Sequence, residues 1–455
     1  MLVNRVERGR YLDSVALMRV SRKLEALGGV EAAALMIGSP SNKALLRSAG
    51  LLSPEGEQAT ANDLVIAVRG PQASETLGRA LELLSERPDQ AGSSALPHAR
   101  SLAGALEALP RANLALITIP GEFAAFEARR ALERGLHVLV FSDNVPLEDE
   151  VALKRLARQK GLLLMGPDCG TAIIAGTPIA FANALPRGEV GIVSASGTGL
   201  QEVSCLIARM GGGISHGIGV GGRDLDARIG ALGTLAALDA LEADPATARI
   251  VLISKPPARE VAKRVLQRVK QSAKPCVVCF LGLDEPGISP MLTDAAERIM
   301  GSKLNRESFR LERRPGRVRG LYCGGTLCAE AELIFRRKGL EGHEFIDLGA
   351  DQYTRGRPHP MIEPELRNDH VARAASDPAV SVILVDVVLG YGAHENPAAV
   401  LLKVIKGEKT VIASVTGTDA DPQGWSRQVA LLRKAGVLVA ASNAHAAELA
   451  ASLVA

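Results

Sequence analysis

Short apolar runs alternate with longer amphipathic ones from one end of the chain to the other. EAAALMIG, DLVIAVRG, LALITIP, HVLVFS and LLLMG are continuous in Ala, Val, Ile, Leu and Met and are bounded by Gly or Pro. Continuous runs of that length predict strands buried on both faces, as in parallel sheets. Between them, segments such as EFAAFEARRALERG carry apolar residues at helical spacing. The rhythm is βαβ and predicts an α/β fold with parallel sheets.

Breaks in this rhythm suggest domain limits. Residues 83–101 are rich in Pro, Gly, Ser and Ala, LPRG at 185–188 precedes a fresh strand, and 301–316 is polar and basic. The expected regions are 1–95, 96–186, 187–312 and 313–455. The last two read as copies of one flavodoxin-like unit. GEVGIVSASGTGLQEVSCLIARMG, from Gly188, aligns without gaps with GRVRGLYCGGTLCAEAELIFRRKG, from Gly316. Val190 then matches Val318, Gly197 matches Gly325, Thr198 matches Thr326 and Glu202 matches Glu330. EADPATARIVLIS parallels ASDPAVSVILVDV, and KPCVVCFLG parallels KTVIASVTG, in the same order.

Composition narrows the classes. The 455 residues carry a net charge of +3, from 53 basic and 50 acidic side chains. That balance excludes a general nucleic-acid groove, which needs a concentrated basic face. No uncharged apolar run approaches the length of a membrane-spanning helix. The N-terminus, MLVNRVERGRYLDS, lacks the apolar core of a signal peptide, so a cytoplasmic location is expected. Cys276 and Cys279 form C-x-x-C inside a strand-like run, which turns the two side chains to opposite faces. No metal site is expected there.

The chemistry is expected at strand-to-helix turns. SASGTG at 194–199 and CGGT at 323–326 each end a strand and open a helix. The first N–H groups of a helix lack intrahelical partners, and the dipole adds positive charge there. Gly lets an anion approach the backbone, and Ser or Thr adds a donor. The phosphate-binding candidates are Ser194, Ser196, Gly197, Thr198, Gly324, Gly325 and Thr326. The alternative is that Ser196 or Thr198 only caps its helix. A third turn, GPDCGT, places Gly166, Pro167, Asp168 and Cys169 at the carboxyl edge of a sheet, where doubly wound folds bind ligands. These residues and Asn396 are substrate-binding candidates. Cys169 is read as substrate-lining or structural, with no base to make it a nucleophile.

These turns carry a family resemblance. Residues from ANLALITIPG to GPDC resemble the second half of the CoA-binding domain of succinyl-CoA synthetase α subunits. GEVGIVSASGTG…GIGVGG is similar to the α-subunit ligase domain. Residues 316–455, through FIDLGA and DVVLGYGAHENPA, resemble the carboxyl-terminal domain of the β subunit. A single chain with this order and no nucleotide-grasp domain resembles the FdrA family. The implied fold is an N-terminal Rossmann-like, CoA-binding-type region followed by two flavodoxin-like domains. In the synthetases the two helix starts together hold a phosphohistidine, so the resemblance implies a phosphate site at Ser196, Gly197 and Thr198 with Gly324, Gly325 and Thr326.

Three departures redirect the expected function. The loop that carries the synthetase histidine reads LDEPGISPMLTDA and has none. The grasp domain for ATP is missing. The Gly-rich loop for CoA phosphate is not evident, the nearest stretch being IGSPSNK at 37–43. What is left is a cradle for free phosphate or an acyl phosphate.

The family implies an oxamate carbamoyltransferase subunit in allantoin and purine breakdown, with phosphate and a small ureido or acyl compound as substrates. Its partners are expected to be other subunits of a hetero-oligomer. An ADP-forming acyl-CoA synthetase component that binds CoA, and a non-catalytic phosphate-binding scaffold, stand as alternatives. His394 and Glu395 follow LGYGA at the carboxyl end of a strand and are the catalytic candidates. His359 lies with Arg355 and Arg357 in a Pro-punctuated loop whose arginines could take a carboxylate, but which reads first as solvated surface. His216 sits among glycines within sequence reach of the cradle and is assigned no role.

Overall fold

The computed structural model describes residues 1–10, 12, 14–85, 99–309, 312–354, 358–405, 407 and 409–455. The breaks at 83–101 and 301–316 lie partly outside these residues, and Arg355 and Arg357 lie wholly outside them. Two compact units are present: Met1–His98 with Asp351–Pro358, and Ala99–Ala350 with His359–Ala455.

In the first unit, strand Leu64–Arg69 lies between Leu2–Glu7 and Ala32–Ile37 and runs antiparallel to both. Helix Ser14–Glu25 connects the two outer strands, giving a split βαβ unit. The parallel pairing expected of EAAALMIG and DLVIAVRG is therefore corrected. A continuous apolar run reports burial on both faces and is silent on strand direction. Leu64, Ile66 and Val68 pack under Leu17, Leu24 and Leu77. Val65 and Ala67 face the other way, against Leu46 and Leu51.

The second unit begins with a parallel sheet of Leu114–Ile117, His137–Val140 and Leu164–Met165. The hairpin Thr171–Ile174 and Thr177–Ala180 then joins the edge of the next sheet. That sheet is parallel through Arg187–Ser194, Ile214–Gly219, Arg249–Ser254 and Cys276–Phe280. The last sheet is parallel through Arg317–Tyr322, Glu344–Asp347, Val380–Val388, Thr410–Thr416 and Leu438–Ala440. In both large sheets the first strand lies between the second and the third, and the fourth follows the third. The α/β class with parallel sheets is thus the observed one.

The repeat reaches individual contacts. The Asp244 and Asp377 carboxylates each accept from the N–H two residues on, at 3.2 and 2.9 Å. Lys274 and Lys409 Nζ donate to the carbonyls of Asp244 and Asp377, at 2.7 and 2.8 Å. One apolar core runs through both halves, joining Val203 and Leu206 of helix Gly197–Arg209 to Ala331 and Ile334 of helix Gly325–Arg337. Among the described residues, no helix is long and apolar enough to cross a membrane.

Candidate functional site

The two helices that follow the first strand of each half meet at their N-termini. Ser196 Oγ lies 2.6 Å from Thr326 Oγ1. A Cβ placed on Gly324 would lie 3.0 Å from Thr198 Cγ2. Ser196 also caps its own helix, accepting from Gly199 N–H at 2.9 Å, so capping and convergence coexist at one hydroxyl. Ser194 is turned elsewhere: its Oγ donates to Ser196 O at 2.6 Å and accepts from Ser196 N–H at 3.1 Å. It braces the turn and offers the cradle no donor.

The second opening is built differently. Gly324 stands where the first half has Ser196, and no side chain caps its helix. Asp386, at the position matching Ile253, accepts from Cys323 N–H at 2.8 Å and Gly324 N–H at 2.7 Å. Its carboxyl is fully buried. Burial pushes it up to about 6, against the opposing pull of Arg367 and the two amides. Arg367, itself buried, donates to Asp386 O at 2.6 Å and to Cys323 Sγ at 3.2 Å. Asp386 thus uses the amides just before the helix, and the N–H groups of Gly325 and Thr326 begin the helix proper.

Two charged side chains border Gly325. A Cβ there would lie 3.1 Å from Lys255 Nζ and would run into the Asp347 carboxylate. Lys255 is exposed and directly follows strand Arg249–Ser254. Asp347 ends its strand and accepts from Gly349 N–H at 3.0 Å. The helix starts and Lys255 favour an anion, and Asp347 opposes one. Neither Lys255 nor Asp386 was singled out from sequence. The available signals were a lysine at the carboxyl end of a strand and the only charge inside SVILVDVV.

The turn 166–171 comes against the first opening. Thr171 Oγ1 lies 3.0 Å from where a Cβ on Gly197 would stand, and a Cβ on Gly221 would meet Pro167 O. The Gly166–Pro167 bond is cis, and Asp168 takes a left-handed φ of 57° while its N–H donates to Ser142 O at 3.0 Å. Cys169 Sγ donates to Gly219 O at 3.3 Å. Burial pushes its thiol up to about 12, which suits a structural residue. Alkylation at pH 8 is expected to leave Cys169 unlabelled in the folded protein, and Cys169→Ser to change phosphate affinity less than about twofold; peptide mass mapping and calorimetry would check both.

His394 is half-buried. Its N–H donates to Met361 O at 2.8 Å, and its Nδ1 accepts from Asn396 N–H at 3.0 Å, which leaves the neutral ring's proton on Nε2. Glu395 is exposed. Asn396 is the N-cap of helix Pro397–Leu402, accepting from Ala399 N–H at 3.4 Å, so its side-chain carbonyl is already used. His359 lies between this loop and the cradle. Its Nδ1 accepts from Met361 N–H at 3.2 Å, and a Cβ on Gly349 would sit 2.5 Å from both its Nε2 and Cys323 O. Desolvation pushes His359 down to about 4. His216 does not reach the cradle: its Nδ1 accepts from Ala175 N–H at 3.1 Å, and its Nε2 lies 3.5 Å from Asp244. A cavity of about 680 Å³ lies at the other end of helix Gly197–Arg209, where Arg209 stacks 4.4 Å over Trp425, and it shares no residue with the cradle.

Paired parallel α/β units whose leading helices meet at their N-termini form a CoA-ligase-like fold. The CoA-ligase family model matches residues 321–453, and the model for the AllF heavy metal-associated domain matches residues 1–98. The chain is 41% identical to the uncharacterized protein YahF of Escherichia coli (strain K12), over 98% of this chain and 97% of that one. It belongs, with YahF, to the FdrA family. It is 29% identical to the succinate–CoA ligase [ADP-forming] subunit alpha 2 of Archaeoglobus fulgidus, over 38% of this chain and 61% of that subunit. Among solved structures, it aligns with the dinucleotide-forming acetyl-coenzyme A synthetase 1 of Ca. Korarchaeum cryptofilum at 18% identity and a TM-score of 0.31, covering 75% of this chain and 82% of that one.

A heavy metal does not fit the first region. Residues 1–98 contain no cysteine, and their single histidine is His98. Among the described residues, no cluster of His, Cys, Asp and Glu could hold a metal ion. Soft metals call for several thiolate or imidazole ligands together, and this region holds one histidine and no cysteine.

Proposed function

We propose that the chain is a subunit of a carbamoyltransferase that converts oxalurate and phosphate to oxamate and carbamoyl phosphate. The observation that carries this reading is the 2.6 Å contact between Ser196 and Thr326 at two helix starts, with Lys255 alongside. The histidine-free loop LDEPGISPMLTDA supports a free phosphate in place of a covalent one. The AllF-type region supports a place in allantoin and purine catabolism.

A phosphate oxygen attacks the ureido carbonyl carbon. The C–N bond to the oxamate nitrogen breaks, and the proton of hydrogenphosphate passes to that nitrogen. Charge is conserved, since a dianion and a monoanion enter and leave. Gly197, Thr198, Gly325 and Thr326 orient the phosphate, and their N–H groups stabilise charge on its oxygens. Lys255 balances the added negative charge. His394, with its proton kept on Nε2, is the candidate hydrogen-bond donor to the leaving group, while the proton transferred is that of hydrogenphosphate. Glu395 stays a catalytic candidate on its neighbouring position alone. Substrate contacts fall to Gly166, Pro167 and Asp168, and companion subunits complete the pocket.

Carbamoyl phosphate is expected when the chain, co-expressed with its genomic neighbours, receives oxalurate and phosphate. Lys255→Ala is expected to lower kcat/KM for phosphate by about 10²-fold, as for removal of one oxyanion-stabilising group. An unchanged rate in that variant, or no product in any subunit mixture, would sink the reading. The CoA-ligase match favours a second reading, an ADP-forming acyl-CoA synthetase component. Retention on immobilised CoA, together with acyl-CoA formation, would support it.

A further inference from the structure

Glu202 and Glu330 occupy matching positions of the repeat, each on the sixth residue of its cradle helix. Each carboxylate caps the last helix of the opposite half. Glu202 accepts at 3.0 Å from the N–H of Asn443, the first residue of helix Asn443–Val454. Glu330 accepts at 2.7 Å from the N–H of Leu292, the first residue of helix Leu292–Met300. The Asn443 side chain links the pair, donating to Glu330 at 2.8 Å and to Leu327 O at 2.9 Å, and Thr416 Oγ1 donates to Glu202. Both residues are buried, and among the described residues neither forms an ion pair.

We infer that Glu330 is a proton-linked regulator of the anion cradle: it holds a proton while the cradle is filled and weakens the cradle when it ionises. This rests on the phosphate site proposed above. Glu330 lies five residues beyond Gly325, about 7.5 Å along the helix axis, so its ionisation puts a charge little more than one turn behind the helix start, in an interior that screens poorly. Its charge opposes the bound anion and cancels part of the dipole that attracts it. By linkage, anion binding must raise Glu330's hold on its proton by the same factor.

The surroundings favour this direction. Burial pushes Glu330 up to about 8, against the pull of the Asn443 and Leu292 donors. The ionisable groups that act on it or on Glu202 are Asp294 on helix Leu292–Met300, Cys279 and Tyr322 on the flanking strands, Cys205 and Arg209 on Glu202's own helix, and Glu202 itself. Arg209 is the one cation of this set, and it lies in Glu202's helix, two turns beyond Glu202.

Sulfate is the suitable probe, because it does not titrate between pH 6.5 and 9. With the full chain, sulfate affinity is expected to fall at least tenfold across that range, and Glu330→Gln to remove most of the fall. Calorimetry in buffers of different ionisation enthalpy is expected to show proton uptake on sulfate binding near pH 8; this needs no variant. Sulfate binding with the same slope in both proteins, or binding without proton uptake, would overturn the linkage while leaving the cradle intact. Failure of both sulfate and phosphate to bind at any pH would remove the cradle itself, and the linkage with it.

Discussion

Asp386→Ala is expected to lower the free energy of unfolding by about 3–5 kcal/mol, the usual cost of breaking a buried charge pair. The substitution leaves the Arg367 guanidinium, already 2% exposed, without the carboxylate that faces it. It also strips the N–H groups of Cys323 and Gly324 of their acceptor, and buried orphan donors are costly in their own right. Denaturant unfolding measures the loss. A second substitution, Arg367→Met, should restore part of it, because an apolar side chain of similar volume often replaces a buried ion pair without penalty. Two losses that simply add would show that the residues act separately. Because burial lifts Asp386 to about 6, ionising it costs more than Arg367 and the two amides return, so the proton-linked part of its contribution is fully present below about 4, the ordinary aspartate range, and is lost as pH rises through 6. The variant should therefore lack a slope in stability between about pH 4 and 6.

Gly325→Ala is expected to weaken phosphate binding by about a hundredfold, roughly 2.8 kcal/mol, with a smaller loss of stability as the Asp347 carboxylate is pushed aside. Gly325 is the first residue of its helix and has ordinary helical backbone, so the backbone itself accepts alanine. Its methyl would press on Asp347 and stand 3.1 Å from Lys255 Nζ, filling the space in which an anion meets the Gly325 and Thr326 amides. Calorimetric titration with phosphate and a parallel unfolding curve separate the two effects. Retained affinity would show that the anion does not lie over the second helix start.

Sequence patterns carried the repeat far. The likeness of the two halves, the Asp244 and Asp377 turns and the pairing of the helix starts at Ser196 and Gly325 follow from the aligned residues, whereas the strand order does not. The direction of the first unit's strands was not legible, because Val65 and Ile66 are apolar for either pairing. Nor were Asp386 and Lys255, whose roles depend on strands that the fold, and not the chain order, brings beside the helix starts. Ser194 and Asn396 look like ligands in sequence because hydroxyls and amides that brace turns are the same groups that hold substrates.

Glu202 and Glu330 tie the two halves together, because each supplies the acceptor for the first N–H of a helix that belongs to the other half. Separate expression of residues 187–312 or 313–455 would uncover helix ends that only the missing copy can satisfy.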